Sequence, residues 1–405
     1  MVKRVLILII KYMKTITERI SRIFKIRSSI ENPLRLRREF CEDEEFPQVL
    51  SLQQLERWSE EIPCYSENDP TNREWKETPI KELDLTKYGY GKVLLKDESV
   101  NPTGTIKDRA AWEITTIYRD WAKIIYEDYI NGFLTKSEIQ AIKIPSFSLI
   151  TSGNEGRAVS EAFKRFYLPP PKLIIPSNTD EKIKESVKEL RADHYVVDLD
   201  SQALTTQDIK IITNNTDGID LTSLRIFNPE KVFYDWHVFE SFNLLPDNIF
   251  IPFGSGKLTA CYFFWQRKLV ADSMHRENID PRLDEQIVAR DKIRRINLYA
   301  AKPEAYPSIA DKLHAPHRPF SIFTDNDCDA VSNLGFSGNK SGIYGISEEP
   351  IKKAYKILQQ EGVQCEASSA ASLALYMDSF DKGFVNSSER SLIINTGRGL
   401  CVDDN

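Results

Sequence analysis

Residues that build metal centres and disulfide scaffolds are scarce in this chain. Five histidines and six cysteines are spread over 405 residues. The cysteines (Cys41, Cys64, Cys261, Cys328, Cys365 and Cys401) form no C-x-x-C pair, and none lies near a histidine at zinc-ligand spacing. This argues against a zinc ribbon or a disulfide-framed secreted domain and reads as reduced thiols in a cytoplasmic protein. His314 and His317 are close, but two prolines share their loop. Their spacing reads as incidental, and no metal is expected. Long apolar runs are missing too. "VLILII" at residues 5–10 is bounded by Arg4 and Lys11, too short to cross a bilayer, and no small-residue cleavage site follows it. Low-complexity tracts and fixed-period repeats are absent.

What is present is an ordinary globular composition, 41% hydrophobic and 28% charged, with length for roughly two to three domains. Charge is uneven. Residues 1–38 hold eleven Lys and Arg against Glu18 and Glu31, about +9 in a chain of net −6, so the remainder carries about −15. An acidic body argues against nucleic-acid binding. In residues 5–26, Leu6, Ile9, Ile10, Met13, Ile16, Ile20, Ile23 and Phe24 recur at helical spacing between basic residues. Such an arm suits an acidic protein surface, in this chain or a second subunit. It also suits peripheral association with a membrane through residues 1–38, or organelle targeting. "EDEEF" at 42–46 marks a linker.

Beyond the linker, strand-like and helix-like segments alternate. Strands are expected at 91–97, 172–178, 194–200 and 294–304, at the start of the strand–turn–helix segments 146–166 and 248–269, and in the strand and turn at 391–399. Helices are expected from Lys107 to about Ile130, after "TSGNEG", from Asp180 to about Ala192, after "FGSGK", and at 348–362 and 368–380. Alternation of this kind predicts an α/β fold with mainly parallel sheets. The two Gly-rich turns each join a strand to a helix, where ligands of open α/β sheets bind and where backbone N–H groups favour anions. "FGSGK" is neither a nucleotide P-loop nor G-x-G-x-x-G, and a phosphate cup for a small cofactor fits it better.

Five segments, in order, carry a resemblance. "KDESVNPTGTIKDRAA" (96–111) resembles the lysine segment K-x-E-x-x-N-P-T-G-S-F-K-D-R of fold type II (tryptophan synthase β family) pyridoxal-phosphate enzymes, threonine synthases in particular. "TSGNEGRAVSEAF" resembles their S-G-N-x-G turn, and "IPFGSGKLTA" their phosphate loop. "EASSAASLALY" resembles their "EPSSAAALA" helix, and "INTGRGLCVDD" the threonine-synthase ending "STGHGLKD". The likeness covers about residues 90–405. It implies a two-domain α/β architecture with mainly parallel sheets and pyridoxal phosphate in the interdomain cleft. The expected segmentation is an arm at 1–45, a larger domain from 46–105 and 240–405, and a smaller domain at 106–239.

The resemblance also implies roles. Lys107 is similar to the Schiff-base lysine, and Asn154 to the residue facing the cofactor's phenolic oxygen. Gly254, Ser255, Gly256, Lys257 and Leu258 are similar to the phosphate loop. Thr396 is similar to the hydroxyl facing the pyridine nitrogen. Thr151, Ser152 and Gly153 resemble the substrate-carboxylate site. Glu366 and Ser368-Ser369 read either as part of this pattern or as a helix cap. Three positions depart from it. Glu155 stands where Thr or His is common and is expected to turn outward or to meet Arg157 or a cationic substrate group. Lys257 replaces a glycine, and Arg398 replaces a histidine and could meet an anionic substrate group. The implied activity is elimination or replacement at Cβ or Cγ of an amino acid, threonine synthase-like first. An ammonia-lyase or dehydratase and a cysteine synthase-like β-replacement are the other enzyme readings. A degenerate binding module is the non-enzyme one. A homodimer follows from the family alone.

Overall fold

The computed structural model describes residues 50–62, 77–142, 144, 146–199, 204–215, 218–221, 234–274, 291–310, 312–313 and 340–399. The basic arm, the acidic linker and the His314/His317 pair lie outside them. In chain order the elements are α1 (Leu52–Glu61), β1 (Ile80–Asp84), β2 (Lys92–Asp97), α2 (Lys107–Ile130), α3 (Lys136–Ala141), β3 (Phe147–Ile150), α4 (Asn154–Arg165), β4 (Lys172–Pro176), α5 (Glu181–Lys188), β5 (Asp193–Val197), α6 (Thr206–Ile212), β6 (Ile219–Asp220), α7 (Asp235–Phe242), β7 (Asn248–Pro252), α8 (Lys257–Met274), β8 (Asn297–Pro303), β9 (Gly342–Ile346), α9 (Glu348–Gln360), α10 (Ala367–Asp381) and β10 (Ser391–Asn395). The chain divides into two compact units.

The first unit contains α1 and residues 107–199 and 204–221. Its sheet has four parallel strands in the order β5-β4-β3-β6. "FSLI" and "KLIIP" are buried along their whole length, as apolar runs in a parallel sheet covered on both faces should be. α1 starts at Ser51, whose side chain accepts from Gln54 N, and buries Leu55 and Trp58 against α2. Trp58 is fully buried. Its ring lies 6.1 Å from Tyr118, and its Nε1–H donates to Phe166 O at 3.1 Å. The sequence segmentation assigned residues 46–105 to the other domain; this aromatic packing holds α1 in the first unit.

The second unit carries a six-stranded sheet in the order β1-β2-β10-β7-β8-β9. Only β1 is antiparallel, paired with β2, so both sheets are mainly parallel, as the alternating pattern requires. α10 brings Leu373, Ala374, Tyr376 and Met377 into a core shared with Phe250, Tyr299 and Ile393. Phe250 stacks on Tyr299 with centroids 4.8 Å apart. Cys261 and Cys365 are buried and form no disulfide among the described residues. Among the described residues no helix is long and apolar enough to cross a membrane, and no cluster of potential metal ligands occurs.

Candidate active site

In the second unit three adjacent parallel strands, β2, β10 and β7, end side by side, with Asn395 in register with Asp97. Each carries one expected segment at its carboxyl end, where ligands of such sheets bind. β7 leads into Phe253-Gly254-Ser255-Gly256 and then α8. Gly256 has φ +76°, a left-handed conformation that suits glycine, and a Cβ at Gly254 would come within 3.2 Å of Lys312 O. The turn therefore lets the backbone approach a ligand at the start of an 18-residue helix. Lys257 opens that helix and, like Leu258, is buried. Thr259 follows in the first turn; its buried Oγ1 makes no hydrogen bond with another described group.

β10 leads into Thr396-Gly397-Arg398. Thr396 Oγ1 lies 2.8 Å from Ser369 Oγ on α10, and Ser369 also donates to Gly397 O at 3.1 Å. Of Glu366 and Ser368-Ser369, left open between the family pattern and a helix cap, Ser369 thus faces the end of β10. The N-cap position is Glu366, whose side chain makes no cap bond and instead pairs with Lys312. Arg398 lies over the Asn101–Gly104 turn. Its N–H donates to Gly104 O at 2.9 Å, and a Cβ at Gly104 would sit 2.8 Å from Arg398 Cγ. Ile106 N–H donates to Thr396 O at 2.8 Å, and Thr105 bridges Gly397. The chain entering Lys107 is therefore stitched to the end of β10 by backbone hydrogen bonds.

In the first unit β3 leads into Thr151-Ser152-Gly153 and α4. Gly153 has φ +123°, and Thr151 Oγ1 accepts from the N–H groups of both Gly153 and Gly156 at 3.0 Å. The Thr151 hydroxyl thus shapes the turn from within and takes up the Gly153 donor. Asn154 and Glu155 follow in the first turn of α4. Lys107 is the first residue of the 24-residue α2, and its Nζ lies 3.2 Å from Glu155 Oε2, both side chains about one-fifth exposed. Glu155 therefore faces the lysine rather than turning outward. No spacing in the sequence could have shown this pair, which is 48 residues apart. Sequence reading also passed over Ser369 as a partner of Thr396.

A family model described as pyridoxal-phosphate dependent enzyme matches residues 72–397. No curated protein matches. Solved structures with the same fold include O-acetylserine dependent cystathionine β-synthase from Helicobacter pylori, at TM-score 0.50 and 16% identity, covering 80% of this chain and 92% of that one. Serine racemase from Dictyostelium discoideum aligns at TM-score 0.53 and 15% identity over 87% and 99% of the two chains. Diaminopropionate ammonia lyase from Escherichia coli aligns at 0.54 and 14% over 89% and 93%. With a family match over most of its length and a mainly parallel α/β fold, the chain belongs to the pyridoxal-phosphate dependent enzymes of fold type II.

Proposed function

We propose that this enzyme carries out elimination or replacement at Cβ or Cγ of an amino acid, with Lys107 as its acid–base residue. The observation that carries the reading is the Lys107 amine at the head of α2, partly exposed and directly beside the 151–155 turn. The residues fit pyridoxal phosphate. Gly254–Gly256 and the α8 N-terminus suit its phosphate, and the buried Thr259 hydroxyl adds a donor in that first helical turn. Lys257 would add a cation. Asn154 would face the phenolic oxygen, and the Thr396–Ser369 hydroxyl pair the ring nitrogen. When bound, the cofactor supplies the electron sink for charge developing at Cα. A hydroxyl, unlike a carboxylate, does not hold a proton on the ring nitrogen, which favours elimination over transamination. Lys107 Nζ would hold the cofactor's aldehyde, and as a free amine it would take and return the Cα proton. Thr151, Ser152 and Gly153 would receive the substrate carboxylate, and Arg398 an anionic leaving group. A threonine synthase-like lyase is the version the motifs favour. A homodimer is proposed on family grounds.

Glu155 favours a second reading, an ammonia-lyase or dehydratase. A carboxylate 3.2 Å from an ammonium is placed to accept from a cationic substrate group and to repel a phosphorylated one. Release of inorganic phosphate from a phosphorylated hydroxy-amino acid, against release of ammonia from serine, threonine or a diamino acid, separates the two. β-Replacement would show only when a sulfur or amine nucleophile is added. In either case Lys107→Ala should abolish the visible absorbance band that borohydride bleaches in the native protein, and lower turnover at least about a hundredfold. A fully active K107A enzyme would sink the reading. Firm cofactor binding with no turnover of any amino acid would indicate a binding module.

A further inference from the structure

The last two residues of β2, Lys96 and Asp97, and the next residue, Glu98, are three consecutive charged residues, all buried. Buried charges are tolerated only when paired and hydrogen-bonded, and each of these is. Lys96 Nζ donates to Glu240 Oε2 at 2.7 Å and to Thr78 Oγ1 at 2.8 Å. Asp97 accepts from Lys81 Nζ, from Ser99 N and Oγ, and from Asn395 Nδ2 at 2.9 Å. Glu98 Oε1 accepts from Thr78 Oγ1 at 2.6 Å and lies 2.8 Å from His237 Nδ1. Thr78 Oγ1 and Asn101 Nδ2 both donate to this carboxyl group, so the network assigns His237 Nδ1 the donor role as well. His237 and Glu240 lie three residues apart on α7, on one helical face, and so reach Glu98 and Lys96 together.

Glu98 differs from its neighbours in where its second oxygen points. Oε2 accepts from Asn101 Nδ2 at 2.7 Å, and the same amide donates to Thr105 O at 3.1 Å. One side-chain amide therefore spans the turn from Asn101 to Thr105, and the chain reaches Lys107 two residues later. With His237 and Thr78 both on Oε1, the carboxylate has no freedom to rotate away from Asn101.

We propose that His237 is a positioning residue for Lys107: through Glu98 it locks the Asn101 amide, and with it the turn that delivers the lysine. This rests on the reading of Lys107 as the cofactor lysine. His237 touches neither substrate nor cofactor in this scheme. Its effect is on where the amine stands, and misplacement by about 1 Å is enough to slow a reaction on the order of a hundredfold.

The test uses the full chain, stripped of cofactor, and pyridoxal phosphate as the probe. The measured quantity is the rate at which borohydride-fixed cofactor mass appears on the Lys107 peptide. His237→Leu and Asn101→Ala should each slow attachment about tenfold or more, and the double variant should be no slower than the slower single. His237→Asn, whose amide can donate from nearly the Nδ1 position, should restore most of the rate. A residue that only supports the fold would lower the thermal midpoint and leave attachment below it unchanged. Wild-type attachment in a folded H237L, or losses that multiply in the double variant, would overturn the proposal. Should H237L lose its near-ultraviolet circular dichroism, N101A decides alone: slow attachment supports the proposal and a wild-type rate overturns it. A wild-type chain that takes no cofactor on Lys107 removes the functional reading, and this inference falls with it.

Discussion

Glu155 changes what the lysine segment can be expected to recognise. Its carboxylate meets Lys107 Nζ where a neutral or cationic residue would leave an anion-tolerant surface. Glu155→Gln keeps the shape and removes the charge. Relative kcat/KM for substrates with a second ammonium should then fall about tenfold against neutral ones, because a partly buried charge contact is lost. Unchanged relative values would show that Glu155 plays no part in selection. His194, on β5, makes a separate prediction about stability. Burial lowers its pKa below the ordinary 6.5, since the charged form is poorly solvated there, and its Nε2 is buried without a hydrogen-bond partner among the described residues. The unfolded chain then binds more protons than the folded one as pH falls through the unfolded value. Stability from this group is present above about pH 6.5 and declines below it, until the folded pKa is passed. Denaturant melts at pH 7.5 and 5.5 should show a smaller loss in His194→Gln than in wild type. Glu155 and Ser369 mark the limit of sequence reading. The motifs pointed to Lys107, Asn154 and Thr396, but the partners of Lys107 and Thr396 lie 48 and 27 residues away, and no local spacing encodes that.

At the scale of elements, legibility followed burial. β3, β4, β7 and β10 are apolar runs buried at every position and bounded by turn residues, so their sequence reads directly as strand. The helix from Lys107 to Ile130 was equally legible from its apolar spacing. β1 and β9 were not, because they are the sheet's edges and are largely uncovered; "IKELD" and "GIYGI" lack the signal that a core imposes. α7 was hidden for another reason. Its polar residues, His237 and Glu240, are themselves buried, so hydropathy does not separate an inner from an outer face. The loop after β10 tests how closely two elements must approach. Gly397 has φ +149°, and a Cβ there would stand 2.6 Å from Gly104 O and 2.8 Å from Thr105 Cα. Gly397→Ala should push the lysine turn off β10, costing about 1–3 kcal/mol in denaturant melts and slowing cofactor uptake. A variant with wild-type stability and uptake would mean that the stitch between Gly104 and Arg398 is dispensable.

For the whole molecule, charge is distributed as two opposing parts, an arm of about +9 and a body of about −15. If the arm works at a membrane surface, the full chain should bind vesicles rich in anionic lipid at low salt and release them as salt rises, each basic residue near the surface contributing about 1 kcal/mol. Absence of cosedimentation even at low ionic strength would assign the arm to a protein contact. A second property follows from β10. It is the last strand in chain order among those described, yet it sits in the middle of its sheet, between β2 and β7. Its Asn395 joins Asp97 across 298 residues. On a ribosome, β2 and β7 must wait with open edges until residue 395 has emerged, so this sheet is completed only after nearly all of the chain described here has been made. Closure across such a long loop is slow, and the waiting edges invite pairing with other nascent chains. The arrangement makes the final strand a checkpoint: a polypeptide that stops short of it has neither a finished sheet nor a Thr396, and surveillance by chaperones or proteases would meet it before any cofactor could.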